Sequence, residues 1–169
     1  VNGGSFSITA AKRSAPYAEC TEKIAAILAD EKARGLDTLK PYAEFAGRID
    51  QQRRDLLDLL RTLKAQGKKV FGYGASTKGN VLLQYCNVTT NDMPYIAEVN
   101  EEKFGAYTPG TEIPIISEAE ARAMKPDYFL VLPWHFRAGI LRREQAFLSD
   151  GGQILFPLPK VEVVSSTPG

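Results

Sequence analysis

The stretch KVFGYGASTKGNVLLQYC, residues 69–86, decides the fold of this chain. Its first part, KVFGYG, is an apolar segment of strand type that runs into a loop of glycine and small polar residues. TKGNVLLQYC then has the composition and spacing of a helix. A strand that passes through a glycine-rich turn into a helix is the first half of a strand–helix–strand unit, so the stretch predicts an α/β fold.

The same alternation continues to the end of the chain. Further strands are predicted at 93–100, 126–133 and 151–159, with a candidate edge strand at 161–164. Helices are predicted at 117–125, where Ser117 and Glu120 have the spacing of a capping box, and at 135–150. Strands that alternate with helices favour parallel pairing and right-handed crossovers. We therefore predict a Rossmann-like open, mostly parallel sheet flanked by helices.

The N-terminal third has a different organisation. Residues 3–12 alternate in the manner of a short strand, and residues 15–35 have helical spacing at Cys20, Ile24 and Leu28. Residues 36–67 predict a long helix that Gly67 ends, with one apolar face formed by Phe45, Ile49, Leu56, Leu60 and Leu63. We expect one structural domain in which residues 1–67 pack on the sheet of a core at residues 68–169.

Composition excludes several classes of protein. The 169 residues carry 21 basic and 20 acidic side chains, a balance that argues against nucleic-acid or membrane-surface binding through bulk charge. No apolar run approaches the roughly 18 residues of a membrane helix. Cys20 and Cys86 have no zinc-ligand spacing, so we expect two reduced, buried thiols in a cytoplasmic protein and no bound metal. Because the chain begins with Val1, we also expect a longer parent protein.

The glycine-rich loop at residues 72–79 is the strongest candidate for a binding site. It resembles the dinucleotide fingerprint but has one residue too many before its third glycine, and it lacks the Gly-Lys-Ser/Thr of a Walker loop. Glycines allow close backbone approach, the following helix begins with free N–H groups, and Ser76, Thr77 and Lys78 add donors. This combination favours a phosphate site over a purely structural turn.

Two features near the second strand fit a nucleotide ligand. Glu98 ends that strand 24 residues after Gly74, close to where such folds bind ribose hydroxyls, although an exposed strand-end carboxylate explains it equally well. The segment at 100–115 is long enough to cover a ligand, but its composition alone favours a plain surface connection.

Trp134 and His135 follow the third predicted strand, on the side where the loops form the ligand crevice. His135 is the only histidine, and no Ser–His–Asp order, metal-ligand cluster or paired carboxylate motif accompanies it. We therefore favour ligand binding over catalysis for this pair, with simple packing as an equal alternative, and name no catalytic residue.

Four ordered blocks of the sequence carry a resemblance to a known family. They are GKKVFGYGASTKGNVLLQY at 67–85, EKFGAYTPGTEIPI at 102–115, PDYFLVLPWHFRAGILRRE at 126–144 and GGQILFPLP at 151–159. Together with NGGSFSI at 2–8, they closely resemble the C-terminal domain of the sugar C-methyltransferases. These S-adenosylmethionine-dependent enzymes methylate a carbon of deoxysugars that are carried on a nucleoside diphosphate.

The resemblance implies a protein of three parts. A zinc-binding module and a central methyl-donor-binding domain would precede this domain, which would bind the nucleoside-diphosphate sugar and face the methyltransferase domain of the same chain. The implied reaction is proton abstraction beside a keto group, followed by attack of the enolate carbon on the donor's methyl group. S-adenosylmethionine and zinc would belong to the full-length enzyme, with no cofactor in this portion.

The resemblance also implies site residues. Tyr73 is expected to contact the substrate. Those expected at the diphosphate are Gly74, Ser76, Thr77, Lys78, Gly79 and Asn80. Those expected near the nucleoside are Glu98, Asn100, Lys103, Tyr107, Thr108, Pro109 and Gly110. Trp134 and His135 would border the cleft toward the methyltransferase domain.

Two other functions remain open at this point. One is a stand-alone Rossmann-like module that binds a dinucleotide or coenzyme A, against which the extra loop residue counts. The other is an interaction domain in which the loop is structural and the helices at 17–34 and 40–66 form a docking face.

Overall fold

The computed structural model describes residues 6–166, which form two compact units with a boundary between Ile49 and Asp50. The helices are α1 Thr21–Ala33, α2 Lys40–Ala65, α3 Thr77–Cys86, α4 Glu118–Ala123, α5 Arg137–Arg143 and α6 Gln145–Ser149. The strands are β1 Val70–Tyr73, β2 Ile96–Glu98, β3 Ile115–Ser117, β4 Tyr128–Val131, β5 Gln153–Phe156 and β6 Glu162–Val164. Short 3₁₀ helices occupy Glu101–Lys103 and Trp134–Phe136.

The first unit contains α1 and the first part of α2. Ile24 and Leu28 of α1 are exposed. The strand predicted at 3–12 is wrong where the structure describes it, because residues 6–12 carry no strand and Phe6 and Ile8 are exposed. Residues 3–5 of that prediction lie outside the described residues. Alternation of apolar side chains alone does not make a strand, which also needs a partner for its backbone.

The second unit confirms the predicted α/β fold. In the described residues, six strands form one sheet in the order β3-β2-β1-β4-β5-β6. The first five strands pair in parallel, and β6 adds the predicted edge strand in antiparallel pairing with β5. The chain moves from β1 to one side through β2 and β3 and then crosses to β4 on the other side. The carboxyl ends of β1 and β4 therefore mark the topological switch point, where such sheets bind ligands.

Both faces of the sheet are covered, which explains the near-continuous apolar runs of its strands. One core includes Leu56, Leu60 and Leu63 of α2 with the helix α3. The other core includes side chains of α4, α5 and α6. The predicted apolar face of α2 is thus confirmed in the second unit, whereas Phe45, in the first unit, is exposed.

The structure corrects three other details. The segment 135–150 is not one helix, because α5 ends at Arg143 and α6 begins at Gln145, with the side chain of Glu144 buried between them. The strand β3 lies at the end of a segment that we interpreted as a loop. Cys86 is buried as predicted, but Cys20 is exposed.

Within residues 6–166, no helix is both long and apolar enough to cross a membrane. The capping box predicted at the start of α4 is confirmed. The Ser117 hydroxyl accepts from the Glu120 N–H at 3.2 Å, and the Glu120 carboxylate accepts from the Ser117 N–H at 3.0 Å.

Candidate functional site

The glycine-rich loop lies at the carboxyl end of β1, directly at the switch point. Gly74 has a φ of 76°, in the left-handed region that glycine adopts without strain. A Cβ atom at Gly74 would lie only 2.9 Å from Cγ of Pro133, which follows β4. A glycine is therefore needed here both for the turn and for the close approach of the two strand ends.

Ser76 begins α3 as its N-cap. Its hydroxyl oxygen accepts a hydrogen bond from the N–H of Gly79 at 3.0 Å. A Cβ atom at Gly79 would lie 2.5 Å from Cβ of Leu132, so this glycine lets the first turn of α3 pack directly on the residue after β4. Of the two glycines, Gly74 shapes the turn and Gly79 sets the distance between helix and sheet.

Three consecutive backbone donors remain available at the start of α3. In the part of the chain that the structure describes, the N–H groups of Ser76, Thr77 and Lys78 have no hydrogen-bond acceptor, and Lys78 makes no ion pair. Thr77 and Lys78 are exposed, and Asn80 is half-buried. Free N–H groups at a helix start, next to a lysine, are the arrangement that favours an anion.

Glu98 connects the end of β2 to this loop. Its Oε2 accepts from the N–H of Ala75 at 2.8 Å, and its Oε1 accepts from the N–H groups of Val99 and Asn100 at 2.8 and 3.1 Å. The side chain is buried, and burial raises its pKa. The hydrogen bonds from Asn100 and Val99, together with Lys103, outweigh burial and hold the pKa of Glu98 below its ordinary value. The carboxylate thus supports the loop, and its contact with a ligand hydroxyl stays a prediction.

Lys103 lies on the short 3₁₀ helix that follows β2, and Asn100 is the N-cap of that helix. The side-chain oxygen of Asn100 accepts from the N–H of Glu102 at 3.1 Å, which caps this helix. Lys103 Nζ donates to the carbonyl oxygen of Ala75 at 2.8 Å and lies 3.3 Å from Glu98 Oε2. Lys103 therefore reaches the same loop residue as Glu98.

The turn at 107–110 is attached to α3. Gln84 Nε2 donates to the carbonyl oxygen of Pro109 at 2.8 Å, and Gly110 packs against the same glutamine. The hydroxyl oxygen of Thr108 is buried and accepts from the N–H of Ile113 at 2.9 Å. Tyr107 and Pro109 are exposed, so the side chains of both are accessible to a ligand.

Trp134 and His135 lie on the 3₁₀ helix after β4. Trp134 is half-buried and packs against the apolar core that contains α4, α5 and α6. His135 is exposed, with its ring 4.2 Å from that of Phe136 between centroids. The structure therefore gives Trp134 a packing role and leaves the imidazole of His135 accessible.

Tyr73 is the predicted site residue that the structure places elsewhere. Its side chain is buried on the α4–α6 face, where its hydroxyl donates to Glu144 Oε1 at 2.8 Å and accepts from Arg143 Nη1 at 2.8 Å. Burial and the hydrogen bond to Glu144 raise the pKa of Tyr73. Arg122 completes this network by binding both carboxylate oxygens of Glu144, at 2.9 and 2.7 Å.

A surface cavity of about 680 Å³ opens elsewhere, lined by residues that include Asp127, Glu144 and Gly152. Asp127 directly precedes β4 and Gly152 directly precedes β5, so this cavity lies toward the amino ends of the strands. Its arginines, Arg122 and Arg143, are already paired with carboxylates. The glycine-rich loop is the candidate ligand site instead, because open α/β sheets bind ligands at the carboxyl ends of their strands.

The candidate site therefore combines the loop at 74–80 with Glu98, Lys103 and the residues after β4. Sequence reasoning missed Ala75, Gln84 and Pro133. Ala75 positions the loop through its backbone, Gln84 holds the turn through its side-chain amide, and Pro133 packs against Gly74. Their residue types carry no signal for such roles. Within residues 6–166, no cluster of three or more His, Cys, Asp or Glu side chains is arranged to hold a metal ion.

The stabilisation of the glycine-rich loop by Glu98 should depend on pH. Its pKa is lowered in the folded chain, so its stabilising contribution is present at neutral pH and is lost as the pH falls below about 5. We expect Glu98→Gln to reduce the loss of stability between pH 7 and pH 3.5, as measured by urea unfolding. The exposed neighbour Glu102, changed to Gln, serves as the control. Equal acid sensitivity in Glu98→Gln and the parent chain would contradict the expectation.

Comparisons with known proteins bear on the whole chain. A family model described as the C-methyltransferase C-terminal domain matches residues 1–159. The chain is also 36% identical over 166 residues to the C-methyltransferase NovU of Streptomyces niveus. That match covers 98% of this chain but 39% of the relative, so the chain spans about two fifths of the relative's length.

Proposed function

This chain belongs to the family of C-methyltransferase C-terminal domains, and on that premise we propose that it binds the nucleoside-diphosphate sugar of an S-adenosylmethionine-dependent C-methyltransferase. The sugar would be a deoxysugar, and the domain would act in its biosynthesis. In this proposal the chain holds the substrate and has no catalytic residue of its own.

One observation carries the proposal. A tight glycine turn at the switch point presents three consecutive N–H groups, those of Ser76, Thr77 and Lys78, which have no acceptor among residues 6–166, beside the exposed Lys78 ammonium. Such donors complement the oxygens of a diphosphate. The accessible Tyr107, on the turn fixed to α3, is suited to contact the rest of the nucleotide.

The proposal assigns the chemistry to the part of the full-length protein that this chain does not include. The methyl donor, the acid–base residues and any zinc would belong there. The exposed His135 after β4 is suited to border the cleft toward that part. We expect this chain alone to bind substrate without transferring a methyl group.

Titration calorimetry with thymidine diphosphate tests the proposal. We expect binding in the micromolar to millimolar range, or about −8 to −4 kcal/mol. Lys78→Ala should weaken it about tenfold, because an ionic hydrogen bond to phosphate contributes about 1.4 kcal/mol or more.

Lys64→Ala is the matched control. It removes the same charge from the last turn of α2, which precedes the amino end of β1, and should leave the affinity unchanged. A folded chain that does not bind thymidine diphosphate at millimolar concentration would refute the proposal. Tighter binding of NADH or coenzyme A would support the alternative of a stand-alone dinucleotide or coenzyme A module.

A further inference from the structure

Ala75, the residue after the glycine turn, is held from both sides. Its N–H donates to Glu98 Oε2 at 2.8 Å, and its carbonyl oxygen accepts from Lys103 Nζ at 2.8 Å. The N–H belongs to the peptide group that joins Gly74 to Ala75, and the carbonyl belongs to the next one. Two successive peptide planes of the loop are therefore fixed by two side chains from the end of β2 and the helix after it.

This arrangement determines where the free donors point. The C=O and N–H of one trans peptide group point in opposite directions because the group is planar. When Lys103 holds the carbonyl of Ala75, the N–H of Ser76 in the same group must point away from Lys103. That N–H is the first of the three donors without an acceptor in the described residues.

The arrangement also sets the net charge beneath the loop. Glu98 lies under the loop with its side chain only 8% exposed, and an unpaired carboxylate there would repel a bound phosphate. Lys103 Nζ lies 3.3 Å from Glu98 Oε2 and compensates this charge. Because the carboxylate is buried, solvent screens it poorly, and its compensation depends on the lysine.

We propose that Glu98 and Lys103 are a pair of positioning residues. They orient the N–H of Ser76 toward the ligand, and Lys103 compensates the charge of the carboxylate beneath the phosphate. This inference rests on the proposed function and reassigns two residues that the family resemblance implied as nucleoside contacts. In it, neither side chain needs to touch the ligand. The pair acts through its hydrogen bonds to Ala75 and through the compensation of its two charges.

A double-variant cycle tests the pair, with thymidine diphosphate as the ligand in titration calorimetry. Lys103→Met should weaken binding at least about tenfold, because it releases the loop and leaves Glu98 uncompensated. Glu98→Gln should weaken binding only about threefold, because the amide oxygen still accepts from Ala75. The double variant should bind at least about threefold more tightly than Lys103→Met, because the buried charge is gone.

The expected partial recovery in the double variant distinguishes charge compensation by Lys103 from a purely structural role of the two residues. In a purely structural role, the losses of affinity in the two single variants would add. Glu102→Gln is the control. It removes one negative charge, as Glu98→Gln does, from an exposed residue on the 3₁₀ helix of Lys103, and it should bind like the parent chain. Thermal unfolding and the amide exchange of Ala75 show whether each variant keeps the fold and how far the loop is released.

The outcomes are distinct. If the parent chain does not bind thymidine diphosphate, the proposed function fails, and this inference fails with it. If the parent binds and Lys103→Met binds equally well, the inference alone is overturned. If Lys103→Met weakens binding but the double variant binds no better, the charge role is wrong.

Discussion

Glu144→Ala is expected to lower the free energy of unfolding by about 3–5 kcal/mol. The Glu144 side chain is 2% exposed and accepts hydrogen bonds from Arg122 and Tyr73. Its removal would leave the Tyr73 hydroxyl without its acceptor and the half-buried Arg122 guanidinium without its main carboxylate partner. The loss exceeds that of an ordinary ion pair because both groups have already given up much of their hydration. Urea unfolding at neutral pH measures it.

Glu162→Ala provides the contrast. Glu162 pairs with Arg137 at 2.7 Å, a distance equal to that between Glu144 and Arg122, but both side chains of this pair are about half exposed. An exposed pair contributes at most about 1 kcal/mol. If Glu144→Ala lowered the free energy of unfolding no more than Glu162→Ala, the buried network would not be a major source of stability. Tyr73→Phe should fall between the two, since it removes one hydroxyl and no charge.

Gly79→Ala is expected to destabilise the chain by about 2 kcal/mol or more, although alanine is the better helix former. The added Cβ would lie 2.5 Å from Cβ of Leu132, an atom attached to the backbone beside β4. Neither atom can rotate away, so the start of α3 must move off the sheet. The movement would also disturb the hydrogen bond from the Gly79 N–H to Ser76 and displace the free donors. Thermal unfolding and thymidine diphosphate titration should both show the effect.

Gly139→Ala is the matched control. Gly139 lies in α5, and apart from its chain neighbours and the nearby backbone of its own helix, no atom lies within 4 Å of where its Cβ would be. Helix propensity should therefore dominate, and the variant should be as stable as the parent or more stable by up to about 1 kcal/mol. A loss in Gly139→Ala equal to that in Gly79→Ala would show that close packing at Leu132 is not the cause.

Much of the second unit could be predicted because its signals are local. Hydrophobic periodicity placed α3 at 77–86 and four of the parallel strands near their observed bounds. Ser117 and Glu120 predicted their own capping box, because both partners lie within one turn. Contacts of this kind depend on a few neighbouring residues, and the order of residues in the chain describes them fully.

Other features could not be predicted because their partners are distant along the chain. The strand β3 is three residues long, and it forms because β2 offers it a parallel edge. Tyr73 belongs to the buried network because α5 and α6 bring Arg143 and Glu144 to it, some 70 residues later. The family resemblance implied a ligand contact for Tyr73, but alternate residues of a strand face opposite sides of the sheet.

The sequence by itself determined the α/β alternation, the glycine-rich turn and the donors Ser76, Thr77 and Lys78, since these depend on backbone freedom and residue type at consecutive positions. Only the tertiary structure decided that Glu98 and Lys103 meet at Ala75 and that Gly79 lies against Leu132. It also decided that Tyr73 faces the side of the sheet covered by α4, α5 and α6. Those contacts depend on which strands become neighbours and how closely a helix packs on them. Neighbouring strands in a parallel sheet are set by burial of both faces together, a property of the whole unit and of no single segment.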